Sequence, residues 1–144
     1  MLFKIKNLEY KIENQKILSN QSFDLKESNH LLILGPSGCG KTTLINLMSG
    51  LLIPTSGQII YENKNYSLLS NEKIDRIRAE NFGFIFQKLH LIGHLSLEDN
   101  IRLVQNNNNF QNVNNLINKL GLSKKRNEKA KNLSFGEAQR VAIA

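Results

Sequence analysis

The run Gly35-Pro36-Ser37-Gly38-Cys39-Gly40-Lys41-Thr42 limits what this chain can fold into more than any other segment. It fits the spacing G-x-x-x-x-G-K-[ST]. Before it lies Leu31-Leu32-Ile33-Leu34, a continuous apolar run that suits a strand buried on both faces. After it, Leu44, Ile45, Leu47, Met48 and Leu51 fall at helical spacing, with Gly50 placed to end the helix. A glycine-rich turn between an apolar strand and an amphipathic helix is the context in which this pattern cradles phosphate. The order strand, loop, helix, strand points to an α/β fold.

Each residue type in the run has a chemical reason. Glycines at 35, 38 and 40 let the backbone curl so that its N–H groups face one centre. The helix opening near Lys41 adds a positive dipole end at the same place. Lys41 supplies a mobile charge to β- and γ-phosphates, and Thr42 a hydroxyl to the Mg²⁺ that bridges them. The candidate contact set is therefore Gly35, Pro36, Ser37, Gly38, Cys39, Gly40, Lys41, Thr42 and Thr43. Cys39 occupies a variable position as a small filler residue, although a thiol near a helix start can be reactive.

The rest of the chain alternates strand and helix signals. Residues 2–12 and Ile17 to Leu25 read as strands, as do Gln58-Ile59-Ile60-Tyr61 and the buried-strand candidate Phe82-Gly83-Phe84-Ile85-Phe86. Residues 70–80 carry Ile74, Ile77 and Arg78 as a surface helix would. Ser96-Leu97-Glu98-Asp99 reads as a capping box. Residues 105–115 are asparagine-rich and read as a solvated connector or a poorly formed helix end. Leu116, Ile117, Leu120 and Leu122 make a short amphipathic helix closed by Gly121.

Composition excludes several classes. The 144 residues suffice for one domain with its own core. The formal charge of +7 is scattered, with Lys124-Lys125-Arg126 as the one dense run, and no basic residues alternate with aromatics as single-strand binders require. No nucleic-acid partner is expected. One cysteine gives neither an internal disulfide nor a metal cluster. No apolar run approaches the roughly 18 residues that span a bilayer, and the N-terminus has no signal-peptide core. These features point to a cytosolic chain, peripheral if it works at a membrane.

Three later features choose among phosphate-loop proteins: Phe84-Ile85-Phe86-Gln87, Leu133-Ser134-Phe135-Gly136-Glu137 and Gln139-Arg140-Val141-Ala142-Ile143-Ala144. With GPSGCGKTT they resemble the nucleotide-binding subunit of ATP-binding-cassette (ABC) transporters over essentially the whole chain. The resemblance implies a P-loop NTPase fold of the ABC type, with an N-terminal β subdomain and a helical subdomain. It divides the chain into strands and phosphate-loop core (1–87), helical subdomain (88–132) and signature with its helix (133–144). Gln87 matches the glutamine that helps place Mg²⁺ and the attacking water. Ser134, Gly136 and Glu137 match the signature, which closes over the γ-phosphate held by a second subunit. ATP and Mg²⁺ are the implied cofactors, and Lys41 and Gln87 the implied catalytic contributors. A second ATP-binding subunit and an integral membrane permease docking near residues 87–101 are the implied partners, with the chain on the inner face of the membrane.

Departures from the pattern stand beside these matches. Phe135 replaces the first signature glycine, at a cost if that position needs φ > 0. Ala138 stands where many members carry a polar residue. The adenine-stacking aromatic falls on Ile12 by counting, with Tyr10 on the same strand face as the candidate, and a packed strand tyrosine as the other reading. The family continues with a Walker B strand and a switch histidine, and none of His30, His90 and His94 substitutes. The expectation is a fragment, a truncated frame or a degraded gene, truncated before the Walker B strand and inactive alone, with one side of its sheet exposed. Residues 68–101 look like the lipoprotein-release, macrolide-export and cell-division subgroup, a pattern that importers of polar amino acids share in part. The reading is an ATP-hydrolysing transport subunit, with export or lipoprotein release as the subgroup's implication; the alternatives are a non-hydrolytic remnant and a soluble translation or repair protein.

Overall fold

A computed structural model describes residues 1–104 and 110–144. They divide into two compact units, Met1–Phe82 and Gly83–Ala144.

The first unit is built on a four-stranded antiparallel sheet of order β2-β1-β3-β4. Its strands are β1 (Phe3–Ile12), β2 (Gln15–Leu25), β3 (Ser56–Tyr61) and β4 (Lys64–Asn65). In β1 the buried residues are Phe3, Ile5 and Leu8, so the two-residue alternation slips once. A bulge absorbs the slip: Asn7 takes φ 45, and its N–H donates to Ser22 Oγ at 2.8 Å. The Ser22 hydroxyl in turn donates to Asn7 Oδ1 at 3.2 Å. The β3–β4 turn has Glu62 and Asn63 at φ 44 and 64, the doubly positive pair that suits a tight hairpin.

Two helices share the core with this sheet, α1 (Lys41–Met48) and α2 (Asn71–Asn81). Leu44, Leu47 and Met48 of α1, and Ile74 and Ile77 of α2, join Phe3, Ile5, Leu8, Ile59 and Tyr61 in one buried cluster. Each such side chain contributes roughly 1.5–3 kcal/mol by leaving water. Gly50 ends α1 at φ +72, with its N–H on Leu47 O at 3.0 Å and the Leu51 N–H on Asn46 O at 2.8 Å. That pair of bonds is a Schellman cap.

The second unit is helical: α3 (Leu97–Leu103), α4 (Phe110–Lys119) and α5 (Phe135–Ile143). Its core is Leu97, Ile101, Val113, Ile117, Leu122 and Val141. Asn100 is buried and satisfied: its side-chain oxygen accepts the Ile92 N–H at 2.7 Å, and its amide donates to Ile92 O and Ser96 O. The backbone also pairs residues 93–98 with 126–131, through Leu97 N–H to Glu128 O and Ala130 N–H to Leu95 O, both 2.9 Å.

Three sequence readings differ from this fold. Leu31–Leu34 forms no strand among the described residues; Leu32 and Leu34 are 78% and 79% exposed, and of the four only Ile33 packs on the core. Phe82–Phe86 forms none either. Phe82 packs with Phe3 and Tyr61 in the first unit, while in the second Phe84 and Phe86 stack at 5.5 Å and Ile85 is exposed. An apolar run becomes a strand only when a neighbouring strand pairs with it along its length, and neither run belongs to the sheet β2-β1-β3-β4. Of the asparagine-rich stretch, 105–109 lies outside the described residues, and 110–115 is the first half of α4, whose Val113 is core.

Candidate functional site

The glycine loop runs from Gly35 into α1 within the first unit. Residues 35–39 are exposed and Gly40 is buried. Gly40 is the residue before the helix and takes φ 93, ψ 11. A Cβ there would lie 2.8 Å from Leu18 Cδ2 and 3.1 Å from Ile17 O. The loop thus closes directly onto β2, and glycine is required twice over, by handedness and by space.

The helix start behind the loop is left open. No side chain caps α1, and its first turn carries no acidic residue. The first intrahelical bond is Leu44 N–H to Gly40 O at 2.8 Å. α3 and α5 behave differently: both carry complete capping boxes, Ser96 with Asp99 and Ser134 with Glu137. An uncapped N-terminus presents N–H donors and the positive end of the dipole.

Lys41 folds back across this opening. Its ammonium donates to Gly35 O at 2.9 Å and Pro36 O at 2.6 Å, with Cys39 Sγ at 3.8 Å. Neutral carbonyls hold it, with no carboxylate among the described partners. Thr42 is exposed beside it and Thr43 half-buried. Gly35, Pro36, Ser37, Gly38, Cys39, Gly40, Lys41, Thr42 and Thr43 are therefore one contiguous set. Tyr10 lies on β1 opposite Leu18, the residue that Gly40 abuts, and is half-buried against the core. Ile12 is 53% exposed.

The remaining candidates lie in the second unit. Gln87 is exposed at a bend after Phe86. Ser134 starts α5: its Oγ accepts the Glu137 N–H at 3.4 Å, and its own N–H donates to Glu137 Oε2 at 2.8 Å. Gly136 follows one residue inside, and a Cβ on it would meet only Arg140 Nη1, at 4.0 Å. Phe135 is the first helical residue, is 72% exposed, and has no positive φ. The strain expected of phenylalanine at this position does not arise, because an ordinary helical backbone suits it.

Sequence reasoning passed over the ion pairs around this unit's helix starts. Lys125 reaches Glu137 at 3.3 Å and Glu128 at 3.4 Å. Arg126 and Arg102 both bond Glu98, whose side chain is 11% exposed. The Arg126 guanidinium, offset in part by burial and aided by Arg102, holds the Glu98 carboxyl down at about 2. The Ser134 N–H, with Lys125, holds Glu137 below the usual carboxylate range. The signal available in sequence was the dense run Lys124-Lys125-Arg126; Glu128 is three residues from Lys125, but Glu137 and Glu98 lie 12 and 28 residues from their partners.

Among the described residues no group of three His, Cys, Asp or Glu side chains could hold a metal ion, and no helix is long and apolar enough to cross a membrane. A divalent cation would find here the Thr42 hydroxyl beside an anion-receptive helix start, which suits an ion carried in on phosphates.

Comparison with known proteins agrees with this geometry. The ABC transporter family profile matches residues 18–144. A macrolide export ATP-binding/permease protein MacB of Campylobacter jejuni is 37% identical, covering 100% of this chain and 23% of that protein. A lipoprotein-releasing system ATP-binding protein LolD of Wigglesworthia glossinidia brevipalpis is 38% identical, covering 100% of this chain and 67% of that protein. The dimeric bacterial ABC transporter cassette MJ0796 superposes with a TM-score of 0.83 at 29% identity, covering 99% of this chain and 67% of that one. The chain thus spans about a quarter to two thirds of the length of these relatives. A family profile over residues 18–144 and a relative 38% identical along the whole chain lead to one conclusion: this chain belongs to the ABC transporter family.

Proposed function

We propose that this chain is the MgATP-binding portion of an ABC transport ATPase subunit, acting with a second copy and a membrane permease. The observation that carries the reading is Lys41, a cation held by two loop carbonyls and the Cys39 thiol, with no carboxylate among its described partners, at an uncapped helix start. Phosphate oxygens offer that ammonium a charged partner in place of two neutral ones. The first-turn N–H groups of α1 donate to the same phosphates. Mg²⁺, when bound with ATP, spreads the phosphate charge, and the Thr42 hydroxyl would hold it. Tyr10, beside the Leu18 edge of the loop, offers the nucleobase an aromatic face.

In this reading Ser134 and Gly136 serve the γ-phosphate held by the other copy. The cap supports that role, since it fixes the Ser134 hydroxyl and the Gly136 backbone together at the N-terminal, positive end of α5. The loop around residues 87–101 is the docking surface for the permease, which puts the subunit at the inner face of the membrane. Hydrolysis is phosphoryl transfer to water, with catalysis from positioning and charge. Export or lipoprotein release is the cargo class that the MacB and LolD relatives suggest.

Calorimetric titration with MgATP tests the reading. Saturable binding is expected, weakened by an order of magnitude or more in Lys41→Ala. Equal affinity for the two proteins overturns the loop assignment. Phosphate release measured in the same samples separates binding from turnover.

A further inference from the structure

We propose that Lys125 is a positioning residue of the composite ATP site: it neutralises the Glu137 carboxylate so that the signature helix can accept a phosphate. The inference rests on the reading that Ser134 and Gly136 face a nucleotide held by a second copy.

The argument starts from a conflict at the start of α5. A helix N-terminus attracts phosphate, but this one already holds a carboxylate. Glu137 sits in the first turn, and its Oε2 takes the Ser134 N–H at 2.8 Å. Its side chain is 18% exposed. Those contacts keep it in the charged form, which is the form that repels a triphosphate. An anion approaching the Ser134 hydroxyl and the Gly136 N–H therefore meets a fixed negative charge within one helical turn.

Lys125 resolves the conflict. It precedes α5 by ten residues along the chain, yet its ammonium lies 3.3 Å from Glu137 Oε1 and 3.4 Å from Oε2. The lysine bridges both carboxylate oxygens rather than one. It is itself held, since Glu128 pairs with it at 3.4 Å and the Lys125 N–H bonds Leu122 O at 2.9 Å. Its neighbour Arg126 is fixed on Glu98 through backbone and side chain. The cation is thus carried on an anchored segment. With Glu137 paired, what remains at the helix start is the Ser134 hydroxyl, an open Gly136 and the dipole. Without Lys125, the cap carboxylate opposes the ligand.

The test is nucleotide-driven dimerisation of the chain, read by analytical ultracentrifugation with MgATP. Lys125→Met should leave monomer MgATP affinity unchanged, because the phosphate loop is untouched. It should weaken dimerisation by about fivefold per composite site, the scale of one exposed ion pair, and so by about twenty-five-fold in a two-fold symmetric dimer. Lys125→Arg should behave as the parent. The decisive arm is Lys125→Met combined with Glu137→Gln: removing the carboxylate removes the need for the cation, so dimerisation should return. A lysine that only props up the fold would give no such recovery. Undiminished dimerisation in Lys125→Met overturns the proposal, as does failure of the double variant to recover. A parent chain that binds MgATP but never dimerises overturns the composite-site reading, and this inference with it.

Discussion

Arg126 donates to Glu98 Oε1 at 2.7 Å and bonds the second carboxylate oxygen as well, across 28 residues of sequence. The Glu98 N–H returns a bond to Arg126 O at 3.2 Å. Side chain and backbone together fasten the segment after α4 to the start of α3. Because Glu98 is nearly buried, its charge depends on these arginines.

A pH dependence follows from the depressed carboxyl of Glu98, at about 2 in the fold against 4.5 ordinarily. A depressed folded value stabilises the native state above the unfolded value and is lost as pH falls through the folded one. Stability of the second unit should therefore fall between about pH 4.5 and 2, by on the order of 2 kcal/mol from this group. Thermal melts across that range, compared with Glu98→Gln, check it. The variant should lose most of the slope in this window, Glu137, also depressed, keeping a smaller share; an unchanged slope assigns the acid sensitivity elsewhere.

Gly50 offers a stability test in the first unit. It holds φ +72, and a Cβ there would sit 2.3 Å from Ile74 Cγ2. Left-handed backbone costs roughly 1–2 kcal/mol for an ordinary residue and overpacking roughly 1–3. Gly50→Ala should lower stability by about 2–4 kcal/mol in urea titration. A loss below about 0.5 kcal/mol would mean that the cap and α2 shift freely.

What sequence revealed here was what four to eight adjacent residues decide. Gly40 and Gly50 bracket α1, and Ser96 and Ser134 open helices with their partners three residues on; each is a local contract between neighbours. Strand status is different, because it depends on a partner. Leu32 and Leu34 have the composition of a core strand and are more than three-quarters exposed, since no described segment pairs with them.

Phe135 and Lys125 show the same limit at the candidate site. The question over Phe135 was its backbone angle, which the helix start fixed by placing it one residue after the cap. Lys125 read as one member of a basic run, and its pairing with Glu137 depends on how the chain turns between Gly121 and Ser134. Glu98 and Arg126 likewise carry no shared local pattern. The glycine loop is more local: the Lys41 bonds to Gly35 O and Pro36 O span six and five residues, while the closure of Gly40 onto Ile17 and Leu18 does not show in sequence.

Metal dependence should follow the nucleotide. With no described cluster of metal-holding side chains, Mg²⁺ alone should give no binding heat in calorimetry. With ATP present it should raise affinity, and Thr42→Ala should remove most of that gain while keeping metal-free ATP binding within about threefold, since the hydroxyl serves the cation rather than the phosphate. Tight Mg²⁺ binding without nucleotide would point to a separate ion site.

Gly136 separates fold from function most sharply. Its backbone is helical, without positive φ, and an added Cβ meets nothing nearer than Arg140 Nη1 at 4.0 Å. By the fold alone alanine should be welcome, since replacing a helical glycine gains up to about 1 kcal/mol. Gly136→Ala should thus melt at the parent temperature or slightly above it. Neither backbone strain nor packing against the described residues explains the glycine, whereas the proposed composite site would, through a backbone N–H that a phosphate approaches closely. The same variant should lose MgATP-driven dimerisation while monomer binding through Lys41 persists. Normal dimerisation in Gly136→Ala would remove the reason for placing a second copy's phosphate at the start of α5, and a lowered melting temperature would show that the glycine serves the fold after all.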